Sequence, residues 1–242
     1  MMISLVIPCY NESESLPTLI EKCQTIINEN IEIILVDNGS SDSTPEILEP
    51  FKNPNGRLRT TRVEKNIGYG NGILAGLKVA QGEILGWTHA DLQADPADVL
   101  TAYRLYERSA NPSNLFVKGS RIGRPIIDRI FTIGMAIFES IFLRTVMWDI
   151  NAQPTLIPRS LYSAWRNAPI DFSLDLYAYY QAKKQGTEIR RIPVRFDHRT
   201  FGQSHWNTGI FSRMRFIQRT LSYSWKLRKQ INRSASSQKG NE

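Results

Sequence analysis

Short apolar runs alternate with amphipathic stretches through the first third of the chain. SLVIPCY (Ser4 to Tyr10) is a β-type run that ends in a polar cluster, and IEIILVDNGSSD (Ile31 to Asp42) is a second. Between them, apolar residues recur at helical spacing from about Leu16 to Asn28. The same alternation continues with a helix that begins at Thr44-Pro45, a strand at 57–63, a helix at 69–80 and a strand at 83–91. Because strands and helices take turns, the pattern predicts an α/β fold with a mostly parallel sheet and helices on both faces.

The pattern changes in the second half of the chain. Residues 125–148 form a long, unusually apolar helical stretch that a few charged residues interrupt, and residues 208–231 have the spacing of a basic amphipathic helix. We therefore expect one domain at 1–206, a basic amphipathic helix at 207–232 and a disordered tail at 233–242. The apolar faces of the two helical stretches pack either on the domain or on a membrane surface, since both environments select the same spacing.

The net charge of +7 is concentrated near the C-terminus, where residues 190–242 hold twelve Lys and Arg against two Asp and Glu. Nucleic acid and anionic lipid both suit such a surface. The region lacks the aromatic and glycine pattern of a single-strand binding platform, so we expect a membrane surface and no nucleic acid as its partner.

The sequence also bears on the compartment. No apolar run approaches the roughly 20 residues of a membrane span, and the N-terminus lacks the pattern of a secretory signal. Cys9 and Cys23 are too few to staple a domain of this size, which favours reduced thiols. We therefore expect an intracellular protein.

Polar clusters follow three of the predicted strands, at Asn11-Glu12, at residues 37–42 and at residues 89–91. Ligands of parallel α/β sheets bind beyond the carboxyl ends of the strands, although Asn, Asp, Gly and Ser at these positions are also ordinary turn residues. Glu12 and Asp37 can accept hydrogen bonds from a base or a ribose, and the glycines of NIGYGNG (Asn66 to Gly72) allow a close approach of backbone to phosphate. The three clusters together favour a nucleotide site.

The stretch WTHADLQADP (residues 87–96) carries candidate metal ligands. Asp91 suits a Mg²⁺ or Mn²⁺ ion that diphosphate oxygens also hold, and Gln93 and His89 lie on the same side if the chain is extended. Imidazole is a poorer ligand than carboxylate for Mg²⁺ but suits Mn²⁺ and softer metals, so His89 is expected to weaken the site or shift its metal preference without abolishing it. The alternative is a surface histidine beside a helix entry at Asp95-Pro96.

Four motifs, in order and spacing, resemble the inverting nucleotide-sugar transferases of glycosyltransferase family 2. They are SLVIPCYNESESL, IILVDNGSSDST, EKNIGYGNGILAGLKVAQGEILGWTHADLQADP and HRTFGQSHW, and they extend over about residues 3 to 206. Within the family the sequence is most similar to the dolichyl- and polyprenyl-phosphate sugar synthases. The resemblance implies a GT-A fold and a divalent metal. It also implies a donor site made by Pro8, Tyr10, Asn11, Glu12, Asp37 and Gly68.

The family's metal motif is usually Asp-x-Asp followed by Leu-Gln, so His89 replaces its first aspartate, while Asp91 and Gln93 match the remaining positions. KGSRIGRP (Lys118 to Pro125) resembles the segment whose arginine contacts an acceptor phosphate. Arg121 fits that arginine best, and Arg124 and Arg129 lie near it in the sequence.

The resemblance continues at two later sites. Asp149 matches an aspartate on the acceptor side, although Ala152-Gln153-Pro154 does not match the motif that follows it. Asp149 is the candidate catalytic base if the acceptor is a hydroxyl, and an orienting group if it is a phosphate. Arg199 and Ser204 match positions that contact the donor phosphates in the relatives.

These observations predict an inverting glycosyltransferase that moves a sugar from a nucleoside-diphosphate sugar to a membrane-associated acceptor. Polyprenyl phosphate is the favoured acceptor, and a hydroxyl of a lipid-linked or cell-envelope glycan is the alternative. Because of His89, a non-catalytic nucleotide-sugar-binding scaffold at the membrane also stays open. The expected location is the cytoplasmic side, peripheral on the inner face of the cell membrane.

Overall fold

The structure is a computed structural model that describes residues 1–196, 218 and 221–229. The described residues belong to two compact units. The first contains Met1–Pro125 and the described residues from 151 to 196, and the second contains Ile126–Ile150 with the described residues of the C-terminal part. The predicted boundary at residue 206, the start of the helix at 207 and the tail at 233–242 lie outside the described residues.

The first unit is built on a single sheet. In the described part of the chain, seven strands take the order β3-β2-β1-β4-β6-β5-β7. Only β6 runs against the others among these strands. The mostly parallel sheet predicted from the alternation is therefore confirmed. The strands are β1 (Ile3–Cys9), β2 (Ile31–Asp37), β3 (Leu58–Arg62), β4 (Ile84–Trp87), β5 (Leu115–Ile122), β6 (Thr155–Pro158) and β7 (Glu188–Arg195).

Helices connect most of the strands. Pro17 and Pro45 lie in the first turns of two of them, where the missing N–H of proline costs no hydrogen bond. The predicted helices at 16–28, 44 and 69–80 are confirmed, with ends that differ by one or two residues. The helices are α1 (Leu16–Ile26), α2 (Thr44–Leu48), α3 (Tyr69–Val79), α4 (Asp98–Glu107), α5 (Ile126–Leu143), α6 (Arg159–Ser163) and α7 (Leu174–Lys184).

Alternate residues of the central strands face opposite layers. Leu5 and Ile7 of β1 belong to one apolar core with residues of α1, α2 and α4. On the other face α3 comes so close that a Cβ at Gly76 would lie 2.3 Å from a methyl group of Val6. Glycine is therefore needed there for packing, and the helices cover both faces of the sheet.

The second unit contains α5 and a helical segment at 221–229. The predicted helix at 125–148 ends earlier, at Leu143, because Arg144 has a left-handed φ of 53°. In α5, Ile126, Ile130 and Ile141 are 64–74% exposed. None of the helices in the described ranges is long and apolar enough to cross a membrane.

Glu139 of α5 is fully buried, and its carboxyl oxygens lie 2.7 and 2.8 Å from the hydroxyl of Ser224. Burial raises the pKa of Glu139 to about 7, an effect that the Ser224 hydrogen bond only partly offsets. The folded protein therefore keeps this proton at pH values where the unfolded chain, with its ordinary pKa of 4.5, has lost it. Its contribution to stability is fully present below pH 4.5 and is lost as pH rises through about 7.

We expect Glu139→Gln to remove this pH dependence and to raise the free energy of unfolding by about 1 to 3 kcal/mol at pH 8. Urea unfolding at pH 5 and pH 8, followed by circular dichroism, measures the difference. Glu21→Gln, on the exposed face of α1, is the matched control and is expected to change neither value. Equal stabilisation of Glu139→Gln at both pH values would contradict the assignment.

Candidate active site

The three polar clusters meet at one edge of the sheet. β1 pairs in parallel with β2 on one side and with β4 on the other, so the carboxyl ends of these strands are neighbours. The segments that follow Cys9, Asp37 and Trp87 therefore lie side by side. This is the position at which open α/β sheets bind ligands.

Direct hydrogen bonds join the first two clusters. The backbone N–H of Asn11 donates to the Ser40 hydroxyl at 3.0 Å, and the N–H of Ser41 donates to Asn11 Oδ1 at 2.9 Å. Asn11 has a φ of 54°, a conformation that asparagine tolerates better than most residues. The contacts fix the two loops as one rigid wall, while Tyr10 beside them stays 43% exposed.

Glu12 and Asp42 strengthen the same wall. The N–H of Glu12 donates to Thr44 Oγ1 at 3.0 Å, and its carboxylate accepts a hydrogen bond of 2.7 Å from Ser15. Burial alone would raise the pKa of Asp42, but hydrogen bonds from Ser13 and Thr44 outweigh it and hold the pKa below its ordinary value. The charged Asp42 carboxylate therefore links the two loops, because it accepts hydrogen bonds from the N–H groups of Ser13 and Thr44.

Asp37 is 2% exposed at the end of β2. Its Oδ1 accepts the N–H of Ser40 at 2.9 Å, and its Oδ2 lies 3.1 Å from Nε of Arg62. Asn38 next to it donates from Nδ2 to the carbonyl of Gly68 at 3.1 Å. These contacts hold the predicted base-binding end of β2 in place, and the contact of Asp37 with a nucleotide stays a prediction.

The segment with the candidate metal ligands is a turn and not an extended chain. β4 ends at Trp87, residues 90–94 bend, and Leu92 has a φ of 58°. The expectation that alternate residues from His89 to Gln93 point to one side because the strand continues is therefore wrong. Instead, the N–H of Gln93 donates to Asp91 Oδ1 at 3.2 Å, which closes the turn around the carboxylate.

The helix entry predicted at Asp95-Pro96 is confirmed. Asp95 Oδ1 accepts the N–H of Ala97 at 2.9 Å, just before α4 begins at Asp98. Lys22 Nζ forms an ion pair with Asp95 at 2.5 Å. Burial, with a smaller contribution from the Asp95 charge, raises the pKa of Asp98 to about 6. Asp95 thus has a structural role beside the turn.

Aromatic rings form a column next to the turn. The ring of His89 stacks on Tyr69 with centroids 5.3 Å apart and an interplanar angle of 28°. Tyr69 also stacks on Phe172, with centroids 4.7 Å apart and an interplanar angle of 9°. Tyr69 opens α3, so the glycine-rich stretch contributes a ring at the site.

The glycines around Tyr69 pack against protein backbone. A Cβ at Gly68 would lie 2.3 Å from the carbonyl oxygen of Ile170, and one at Gly70 would lie 2.7 Å from the carbonyl oxygen of Asp171. Gly68 also has a φ of 144°, which side chains rarely adopt. The close packing explains both glycines, and the predicted contact of Gly68 with donor phosphate stays a prediction.

A buried polar network, which the sequence did not predict, supports the column of rings. Asp175 Oδ1 accepts hydrogen bonds from Trp87 Nε1 at 3.1 Å and Gln153 Nε2 at 2.9 Å, and it lies 3.6 Å from Lys118 Nζ. Gln153 Nε2 also donates to the hydroxyl of Tyr69 at 3.2 Å. A lysine inside an apolar strand and an aspartate inside the apolar run of α7 were the available signals, because buried charges need partners.

The predicted acceptor residues fall in both units. The guanidinium groups of Arg121 and Arg124 lie 5.4 and 5.7 Å from the ring centroid of Phe196, so the structure brings these two together. Arg129 lies on α5 and Asp149 is 5% exposed at a φ of 40°, both in the second unit. Arg199 and Ser204 lie outside the described residues.

The donor set of the turn fits a cation that is shared with a diphosphate. No group of three or more His, Cys, Asp or Glu side chains in the described ranges is placed to hold a metal ion. Mg²⁺ and Mn²⁺ at nucleotide sites take one or two protein ligands and complete their shell with phosphate and water. Asp91 supplies a carboxylate, and neither ring nitrogen of His89 has a protein hydrogen-bond partner within the described chain.

The sheet and the loops at its carboxyl edge define the GT-A class of nucleotide-binding folds. The profile described as Glycosyl transferase family 2 matches residues 4–142. The match extends over more than half of the chain, which therefore belongs to glycosyltransferase family 2. The predicted family is confirmed.

Curated relatives match a shorter part of the chain. The undecaprenyl-phosphate 4-deoxy-4-formamido-L-arabinose transferase of Yersinia enterocolitica is 39% identical over 101 residues, which is 40% of this chain and 31% of the relative. The enzyme of the same name from Pectobacterium carotovorum is 41% identical over 102 residues, with the same coverage of 40% and 31%. The matched segment thus spans about a third of each relative's length.

Solved structures share the fold over most of the chain. The glucosyl-3-phosphoglycerate synthase of Mycobacterium tuberculosis, in complex with Mn²⁺, UDP-glucose and phosphoglyceric acid, has a TM-score of 0.67 at 18% identity and covers 92% of this chain and 79% of its own. The same enzyme with Mn²⁺, UDP and glucosyl-3-phosphoglycerate gives 0.66 at 16% identity, with coverages of 88% and 76%. The predicted GT-A fold is confirmed.

Proposed function

We propose that this chain is an inverting glycosyltransferase that transfers a sugar from a nucleoside-diphosphate sugar to polyprenyl phosphate. The observation that carries the proposal is the convergence of the three strand-end loops, with Asp91 in a closed turn at the centre of the edge. Family membership and the names of the curated relatives, which are undecaprenyl-phosphate sugar transferases, support it.

The reaction forms a bond between an acceptor oxygen and the anomeric carbon of the sugar, and the bond from that carbon to the diphosphate breaks. A lipid phosphate is anionic at neutral pH, with a second pKa near 6, so it needs positioning and charge neutralisation more than a base. Arg121 and Arg124, which share the Phe196 ring, are the proposed groups for this task. Arg129 is the third candidate.

A divalent cation, when bound, stabilises the negative charge that develops on the leaving nucleoside diphosphate. Asp91 would hold it, with His89 and Gln93 as further donors. Pro8, Tyr10, Asn11, Glu12 and Asp37, at the ends of β1 and β2 and in the loop after β1, are the proposed nucleoside-binding residues. The parallel pairing of these strands and the hydrogen bonds between the two loops support this proposal. The solved relatives with Mn²⁺ and UDP support a metal and a uridine nucleotide in this class of site.

The test is a donor panel with Mn²⁺ or Mg²⁺, with and without chelator, on polyprenyl phosphate. The panel contains UDP- and GDP-sugars. It also contains a nucleoside-diphosphate derivative of 4-deoxy-4-formamido-L-arabinose, the sugar in the names of the curated relatives. We expect an organic-soluble glycolipid from one donor, and its loss with chelator. Tight nucleotide binding with neither transfer nor donor hydrolysis across the panel would contradict the proposed transferase activity and favour a non-catalytic nucleotide-sugar-binding scaffold.

The acceptor class is tested separately with Asp149→Asn. If the acceptor is a phosphate, transfer continues at a near-normal rate, because no proton has to be removed and Arg121 and Arg124 still position the phosphate. If the acceptor is a hydroxyl, the rate is expected to fall about 100-fold or more, because a general base is lost. A collapse of transfer would therefore overturn the polyprenyl phosphate assignment in favour of a hydroxyl acceptor.

We further propose that the second unit docks on the cytoplasmic face of the cell membrane. A cavity of about 370 Å³ in this unit is lined by apolar side chains and two arginines, namely Phe138, Ile141, Phe142, Arg144 and Arg228. Trp225 nearby in sequence is 55% exposed, with the Lys229 ammonium 3.5 Å from its ring centroid. Exposed apolar and aromatic groups beside cations are the chemistry of an anionic lipid surface.

We expect Ile141→Glu to weaken binding to phosphatidylglycerol vesicles about tenfold or more, because an isoleucine side chain that is 74% exposed would no longer enter the lipid. Vesicle cosedimentation measures the change. Val79→Glu is the matched control, since Val79 is an exposed apolar residue, at 38%, on the first unit. Equal binding of Ile141→Glu and wild type would refute membrane docking through α5.

A further inference from the structure

The orientation of His89 depends on one neighbour. Its backbone is anchored beside Thr88, whose N–H donates to the carbonyl of Val6 at 3.1 Å at the end of β4. Its ring is partly exposed and stacks on Tyr69. Since neither ring nitrogen bonds to protein in the described ranges, the stack is the contact that orients the imidazole and leaves its nitrogens open to a ligand.

Tyr69 is itself held on three sides. Its ring stacks on both His89 and Phe172, while its hydroxyl accepts the hydrogen bond from Gln153. Gln153 is 1% exposed, and its Nε2 donates to both Tyr69 and Asp175, so both amide hydrogens are used. The ring of Tyr69 is therefore tied through Gln153 to the buried Asp175.

The hydrogen bonds that run from Tyr69 through Gln153 end at Asp175, in the core of the first unit. Asp175 and Lys118 are 2% and 0% exposed, and Trp87 of β4 donates to the same carboxylate oxygen. His89 follows Trp87 by two residues, so the network holds both the backbone that carries His89 and the ring on which His89 stacks. Burial, and after it the charges of Asp175 and Asp91, raise the pKa of Tyr69.

We propose that Tyr69 is a positioning residue that holds the His89 imidazole as a nitrogen donor to the divalent cation beside Asp91, so that this chain selects Mn²⁺ over Mg²⁺. The inference rests on the proposed function, because it assumes a cation at this turn. Mg²⁺ prefers oxygen donors, whereas Mn²⁺ accepts imidazole more readily. Partners that orient a histidine ligand typically change metal affinity about 10- to 100-fold when they are removed.

The experiment is pulsed electron paramagnetic resonance of the full chain with Mn²⁺ and UDP or GDP. We expect a nitrogen coupling that changes on labelling with [¹⁵N]histidine and that disappears in His89→Gln. The chain has three histidines, so this variant assigns the signal. Labelling of histidine alone also separates the signal from the nitrogens of the nucleotide.

Two substitutions of Tyr69 separate the effect of its ring stack with His89 from that of its hydrogen bond with Gln153. Tyr69→Leu removes the ring and is expected to lose the histidine coupling and about tenfold or more of the Mn²⁺ affinity. Tyr69→Phe keeps the ring and loses only the acceptor of Gln153, and is expected to retain the coupling with a smaller loss of affinity. His89→Asp is expected to lower the Mn²⁺ to Mg²⁺ affinity ratio, because it restores an oxygen donor.

The outcomes distinguish the inference from the function. If the wild type binds Mn²⁺ in a nucleotide-dependent way but shows no histidine coupling, the proposed role of His89 and Tyr69 is wrong. The proposed transferase function is not affected by that result. Absence of any nucleotide-dependent metal binding overturns the metal-dependent function itself. If Tyr69→Leu loses its circular dichroism spectrum, Tyr69→Phe and His89→Asp decide, and an unchanged Mn²⁺ to Mg²⁺ ratio in His89→Asp overturns the inference.

Discussion

Asp91→Asn is expected to reduce kcat/KM of sugar transfer by about 100- to 1000-fold, the usual effect of removing one group that stabilises charge in the transition state. Asp91 supplies the carboxylate of the turn, and asparagine removes the charge at almost constant shape. The Oδ1 atom of asparagine still accepts the N–H of Gln93, so the turn is expected to persist. The measurement is initial transfer rate against Mn²⁺ concentration, with the thermal midpoint determined in parallel.

Asp95→Asn is the matched control for this prediction. It makes the same change four residues further along, at a carboxylate that receives the N–H of Ala97 and pairs with Lys22. Both partners of that ion pair are more than 40% exposed, so its loss is expected to cost less than about 1 kcal/mol and to leave the rate unchanged. Full activity of Asp91→Asn in a stable protein would contradict the proposal that the Asp91 carboxylate holds the divalent cation.

The order of strands and helices was predictable because each element has its own period. Alternating apolar residues in β1 and β2 and helical spacing in α1 and α3 are local signals, and the adjacency of β1, β2 and β4 follows from parallel pairing. The polar residues at the strand ends were therefore placed correctly at one edge. Element ends were less accurate, as at Leu143, where a left-handed Arg144 stops α5.

The geometry within the site was less predictable because it depends on contacts between distant segments. The left-handed Leu92 has no sequence signature, since leucine is not a usual residue for that conformation, and so the turn was mistaken for an extended chain. Gly68 and Gly70, at the start of α3, pack on residues 169–171, about one hundred positions away. Lys118, Gln153 and Asp175 form their network only after three separate segments meet in the fold.

That network leads to the second large prediction, which concerns stability. Lys118 is fully buried, donates to Thr155 Oγ1 at 2.7 Å and lies 3.6 Å from Asp175 Oδ1. Lys118→Met fills a similar volume but leaves the buried Asp175 without this countercharge. Breaking one partner of a buried pair typically costs about 3 to 5 kcal/mol. We expect a loss of that size in urea unfolding at neutral pH.

The double variant Lys118→Met with Asp175→Asn tests whether the charge causes the loss. Asparagine keeps an oxygen that accepts from Trp87 and Gln153, while it removes the charge that Lys118 neutralises. The double variant is therefore expected to be more stable than Lys118→Met alone, with a coupling energy of about 1 to 3 kcal/mol. If the losses in free energy of unfolding of Lys118→Met and Asp175→Asn instead add without coupling, the 3.6 Å contact between the two side chains contributes no ion-pair energy. In that case the hydrogen bonds of Asp175 alone hold Gln153 and, through it, the ring of Tyr69.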